Sequence, residues 1–225
     1  MRFDLDAHSV PRATIGPPRL SAGRPWSKDI RLPVHHEPSH HLLARMLEGP
    51  LVSRISFTLG HVQVRTADFR TVAAALRSGR VTIRVDPTEL AADRALATYS
   101  SEGNEFVFAT SDLLQDDVTT ATVFHECIHA ACDAHGGRTA ALSEEAAAFI
   151  GEAWFLILLG HEDVDSAGEG APPQAFFDIA ADLEARRDRE GAPVRATGTQ
   201  INAGRRAYRD NFGKIDRKFY ENDGV

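Results

Sequence analysis

Between residues 39 and 110 the apolar positions change period several times, and each change marks a predicted element. Leu42, Leu43, Met46 and Leu47 recur three and four apart and predict a short helix over Ser39 to Leu47. Leu51 to Val64 has strand character, carried by Ile55, Phe57, Val62 and Val64. Phe69, Val72, Ala75 and Leu76 return to helical spacing over Asp68 to Arg77. Val81 to Val85 alternates apolar and polar, as a half-buried strand does. Ala97 to Ser100 and Glu105 to Ala109 flank Glu102-Gly103-Asn104 and predict a hairpin.

From Asp116 onward the period is helical. Asp116 or Asp117 is placed to cap a helix reaching about Ala134. Gly136-Gly137 is placed to stop it, because glycine takes the left-handed conformation of a helix end. Ser143 is the predicted N-cap of a following helix through Leu159, closed by Gly160. Ser166 to Pro173 reads as a loop, and Gln174 to Arg187 and Ile201 to Tyr220 as two more helices. The predicted class is α+β, with a small N-terminal mixed sheet followed by a helical half. Residues 1–38 contain Pro11, Pro17, Pro18, Pro25, Pro33 and Pro38 and read as an irregular arm ahead of a single domain over residues 39–225.

Charge and composition exclude some classes of partner. Asp and Glu outnumber Lys and Arg by 32 to 25, and no long basic run interrupts the chain. It therefore lacks the electrostatic footprint of a nucleic-acid binder or of a protein drawn to an anionic membrane. The basic residues of the last predicted helix are interleaved with Asp210, Asp216 and Glu221, which suits a solvated or partner-facing helix. The most apolar stretch, Ala153 to Leu159, is too short to span a bilayer. Met1 to Val10 carries Asp4 and Asp6 and no apolar run, so no secretory signal is read there and a cytoplasmic location is expected. Cys127 and Cys132 lie on different faces of one predicted helix, which disfavours a disulfide between them.

The candidate chemistry lies in His125-Glu126-Cys127-Ile128-His129. Residues four apart on a helix share a face, so His125 and His129 present two imidazoles to one point, as a zinc ion requires. Glu126 is rotated off that face, out of ligating position but within reach of a water on the metal, whose proton a carboxylate can take. A third ligand is expected from Ser143-Glu144-Glu145-Ala146-Ala147-Ala148-Phe149 on the next helix. Its small residues allow close approach of the two helices. Glu145 shares a helical face with Phe149, Glu152 and Leu156 and is the chosen ligand, with Glu144 the runner-up.

These residues resemble the active-site helix of zincin metallopeptidases. Glu145-x-x-Ala148 resembles the glutamate helix of the gluzincin branch, and the whole is similar to small bacterial ImmA/IrrE-type metallopeptidases. The resemblance covers roughly Asn104 to Phe155. It implies Zn2+ held by His125, His129 and Glu145, with Glu126 as the base, acting on a peptide or protein substrate. It also implies a substrate strand lying along Glu105 to Ala109. One departure stands out: Phe149 occupies a position where gluzincins often carry an aspartate, so support for the histidines must come from elsewhere, with Asp133 and Glu152 as candidates.

Other side chains carry weaker signals. Cys132 lies near the histidine face but reads better as a small buried hydrophobe. His35, His36, His40 and His41 form a metal-like cluster in a polar, Pro-bounded segment, where a solvated face is the better reading. His61, His135 and His161 stand alone near turns. Tyr99, Tyr208 and Tyr220 are open candidates for stabilising an oxyanion. The alternatives to a peptidase are a catalytically silent zinc protein acting in partner recognition, and a toxin-like effector using the same fold.

Overall fold

The computed structural model describes residues 39–91, 95–112, 114, 116–213, 219–222 and 224–225. The expected proline-rich arm, with His35 and His36, lies outside the described residues. Helix α1 (Ser39–Leu47) buries Leu43, Ala44 and Leu47. The segment read as strand over Leu51 to Val64 divides into a turn of 3-10 helix at Val52–Arg54 and two strands, β1 (Phe57–Leu59) and β2 (Val62–Val64). Gly60, at φ 65°, makes the tight loop between them, so the apolar alternation belongs to a hairpin rather than to one strand. Helix α2 (Thr66–Ser78) stops at Gly79 in the left-handed conformation. Strand β3 (Thr82–Val85) leads to a short α3 (Pro87–Ala91), and the expected hairpin forms from β4 (Ala97–Ser100) and β5 (Glu105–Phe108).

The second half begins with α4 (Asp117–His135), capped by Asp116, whose carboxylate accepts from the Thr119 N–H at 2.8 Å. Gly136 ends it, and Gly137–Ala140 forms strand β6 rather than a bare turn. Helix α5 (Ala141–Leu159) therefore starts from Ala140, not from a Ser143 cap. The Ser143 hydroxyl instead accepts from Arg205, at 2.7 Å to one terminal guanidinium nitrogen. Then follow α6 (Val164–Ala167), α7 (Gln174–Glu190), β7 (Val194–Arg195), α8 (Gly198–Phe212) and β8 (Phe219–Asn222). The helix expected to run to Tyr220 ends at Phe212, because Gly213 takes φ 84°, and Tyr220 is on a strand.

The fold is α+β with three small sheets, ordered β2-β1-β7, β3-β5-β4 and β6-β8. Two of them are completed by strands from late in the chain, a non-local pairing that local periodicity does not report. Strand β5 pairs on both sides, parallel to β3 and antiparallel to β4. A substrate strand along Glu105 to Ala109 is thereby excluded by the pairing itself, and the outer edge beside α4 belongs to β4. No described helix is long and apolar enough to cross a membrane.

Helices α4 and α5 form the centre of the core, with α2 on the outer side of α4 and α7 and α8 against α5. Phe124 on α4 meets Phe69 of α2 and Phe155 of α5, with ring centroids 5.2 and 4.9 Å apart. Trp154 is fully buried and donates its indole N–H to Glu184 at 2.8 Å, which satisfies the one polar atom it carries inward. Each such side chain contributes about 1.5–3 kcal/mol by leaving water. The two helices approach closely at Gly151, where an added β-carbon would sit 2.1 Å from the Ile128 methyl, with Phe124 also in contact range. Gly151→Val should therefore destabilise the protein by about 3 kcal/mol through overpacking, read as a lower urea midpoint. An unchanged midpoint would show that the helices do not meet there.

Candidate metal centre

The antiparallel pass of α5 over α4 brings together the three residues expected to ligate. The imidazoles of His125 and His129 lie one turn apart on α4, with ring centroids 5.2 Å apart. Across from them, Glu145 presents one carboxylate oxygen 3.7 Å from His125 Nε2 and the other 3.7 Å from His129 Nε2. One donor atom from each of the three residues lies within 4.8 Å of the other two, the one such group of three metal-ligating side chains among the described residues. Two ligands about 2.1 Å from a tetrahedral ion are about 3.4 Å apart, so these spacings suit a shared cation with slight contraction.

Two further carboxylates of α5 decide which nitrogens face the centre. His125 Nδ1 is 3.0 Å from Glu152 Oε2, and His129 Nδ1 is 3.0 Å from Glu144 Oε1. A carboxylate only accepts, so each Nδ1 carries the proton and each Nε2 is turned toward the cation position. Glu152 thus supplies the support that Phe149 cannot. Glu144, the runner-up ligand, orients His129 instead of joining the trio. Asp133 touches neither histidine; it accepts from the Tyr99 hydroxyl at 2.8 Å. The Phe149 ring stands edge-on to His125 with centroids 4.4 Å apart, closing that side against water.

Glu126 lies in the wall of the same cavity, off the trio. Its Oε2 accepts from the Tyr99 backbone N–H at 2.8 Å, which ties it to the edge strand β4. The cavity holds about 140 Å³ and is lined by the trio, Glu126 and Glu144, with Thr98, Tyr99 and Ser101 on one side and Tyr220 and Asn222 on the other. Local reading of the sequence offers Tyr220 as one of three candidate tyrosines but misses Asn222 and the strand that carries both. Tyr220 donates its hydroxyl to Glu145 Oε1 at 2.6 Å, and Asn222 donates to Thr139 at 3.3 Å. Gly213 was the one local sign that the preceding helix stops short of them.

The electrostatics call for a cation. Burial opposes charge on His125, but the carboxylates of Glu145 and Glu152 outweigh it and hold the pKa well above its ordinary value. His129 is raised likewise, burial being outweighed by Glu145 and Glu144. Burial alone would raise Glu145, but the two histidines and the Tyr220 hydroxyl bring it down to about 2. Burial is also the main cause of the upward shift of Glu126, and Glu145 adds to it. Four carboxyl groups, Glu126, Glu144, Glu145 and Glu152, surround the two imidazoles, an environment that favours a divalent cation there. Two imidazole nitrogens and a carboxylate oxygen are a chemically suitable donor set for such an ion. Cys132 is outside this set, and burial pushes its thiol well above the usual range, against a thiolate ligand. His40 and His41 face each other with ring centroids 4.4 Å apart, away from the trio. His161 bridges Asp117 at 2.8 Å and the Ser166 carbonyl at 2.9 Å.

No protein-family model, curated protein or solved structure matches the chain.

The trio should take up one divalent cation per chain, with uptake abolished in His129→Ala and in Glu145→Ala. Glu144→Gln should retain a cation at an affinity lowered about 10- to 100-fold. Loss of metal from the Glu144 variant alone, measured by mass spectrometry, would reassign the third ligand. A cation must also displace histidine protons, so uptake should release protons in weak buffer. The sign for stability follows from the raised histidine values. In the cation-free protein they add stability that is complete below the unfolded value of 6.5 and lost as pH rises through the folded one. The Tm gap between loaded and cation-free protein should accordingly widen from about pH 6 to about pH 8, and a narrowing gap would refute the assignment.

Proposed function

We propose that the protein is a zinc-dependent metallopeptidase, gluzincin-like in its ligands, that hydrolyses a peptide bond with Glu126 as general base. One observation carries this reading: the metal trio and a separately held carboxylate face one cavity beside the outer edge of a strand. A silent metal site would have no need of Glu126. The zinc ion, when bound by His125, His129 and Glu145, supplies a Lewis acid that polarises a carbonyl and acidifies a water. Three protein ligands leave a coordination position for that work.

The chain's own residues do the rest. Glu126 takes a proton from the attacking water and returns it to the leaving amine. Its burial raises its proton affinity, which favours taking the proton and brings the group nearer to neutrality, where it can also give the proton back. The Tyr99 N–H holds one carboxylate oxygen, so the other is the one free to face the water. Tyr99 points its N–H away from β5 and onto Glu126, which makes β4 the outer strand beside the cavity, where an extended peptide can lie. Glu152 and Glu144 keep both imidazoles in the tautomer that leaves Nε2 for the metal.

Glu126→Gln should keep one zinc per chain and lower turnover of fluorescein-labelled casein by a factor of about 10²–10⁴. Normal turnover by this variant would refute the mechanism.

A further inference from the structure

Asp133 lies one turn beyond His129 on α4, fully buried, and among the described residues its hydrogen bonds go to Tyr99 and Gly224 rather than to the trio or Glu126. A carboxylate in that position is costly unless its oxygens are used. Both are used, and by opposite walls of the cavity. Oδ2 accepts from the Tyr99 hydroxyl at 2.8 Å, and Tyr99 is the residue of β4 whose N–H holds Glu126. The same hydroxyl lies 3.0 Å from the Asn104 side-chain oxygen at the β4–β5 turn. Oδ1 accepts from the Gly224 N–H at 3.2 Å. Gly224 follows β8, the strand that places Tyr220 on Glu145 and Asn222 beside Glu144. A weaker link, the Ser101 hydroxyl to the Glu221 carbonyl at 3.4 Å, joins the same two walls nearer the surface.

We propose that Asp133 is a positioning residue that fastens both walls of the cavity, setting Tyr99 against Glu126 on one side and the Tyr220 strand against Glu145 on the other. Its effect on turnover rests on the peptidase reading; its effect on the walls does not. The magnitude follows from geometry, since a displacement of about 1 Å in a reacting group costs up to about 100-fold in rate. Asparagine in its place keeps the volume but loses the charge, and its NH2 group cannot accept from either donor.

The test uses the zinc-loaded full chain and compares wild type, Asp133→Asn and Tyr99→Phe by amide hydrogen exchange and by labelled-casein kinetics. Asp133→Asn should lower protection of the residue 99 and residue 224 amides about tenfold while leaving α7 amides unchanged. Tyr99→Phe should lower protection at residue 99 and leave residue 224 as it was. Both variants should retain one zinc and lose about tenfold in kcat at unchanged KM. Wild-type protection at both amides in Asp133→Asn overturns the proposal. So does a loss spread evenly over the chain, which marks mere support of the fold, and so does an unchanged kcat in an active background. If the wild-type protein binds zinc but leaves casein intact, the peptidase reading fails, and hydrogen exchange decides the positioning role alone.

Discussion

The centre depends on two imidazole–carboxylate hydrogen bonds that cross from α4 to α5, His125 to Glu152 and His129 to Glu144. Each does two things. It pins one helix to the other in an antiparallel register, and it fixes the tautomer and the rotation of the ring. Without them a histidine on a helix face has several rotamers, and two such rings point their nitrogens at one place only part of the time. With them, Glu145 meets both Nε2 atoms at equal distance. Close contact at Gly151 and the small residues around it allow the crossing to be tight enough for these bonds to form.

That arrangement concentrates negative charge. Four carboxyl groups surround two imidazoles in a buried site and raise the proton affinity of both rings. A divalent ion held there would compete with protons for the imidazole nitrogens, which would couple its uptake to pH. The same environment distinguishes the glutamates. Glu145, pressed against both histidines, is held at about 2, while Glu126, set apart and buried, moves upward. A ligand benefits from staying charged and a base from a raised proton affinity, so one electrostatic field suits both of the roles proposed for them.

The cavity is completed by strands distant from the helices in sequence. Strand β4 supplies the N–H that steadies Glu126, and β8 brings Tyr220 back onto Glu145. Burial and the neighbouring Glu145 push the Tyr220 phenol well above its usual range, so it keeps the proton it donates to Glu145. On the far side Phe149 stacks against the half-exposed Phe212, centroids 4.5 Å apart, and carries the apolar surface outward from His125.

What the amino-acid order determined by itself was local. The helix over Asp117–His135, its Asp116 cap, its glycine stop and the shared face of His125 and His129 follow from a 3.6-residue period and from backbone preferences that act within a few residues. Glu145 shares the group with the two histidines as its helical position suggests, but not because its face is the inward one, since Glu144 is the more buried of the two. Tertiary structure alone decided the rest. Glu144 and Glu152 became partners of different histidines because two helices cross, and periodicity within one helix says nothing about the neighbour's register. Strand β5 was recognisable as a strand but not as a central one, since edge or centre depends on β3 pairing from elsewhere. Tyr220 was assigned to a helix because a single glycine weighs little against helical spacing, whereas its place on Glu145 is set by long-range pairing of β8 with β6.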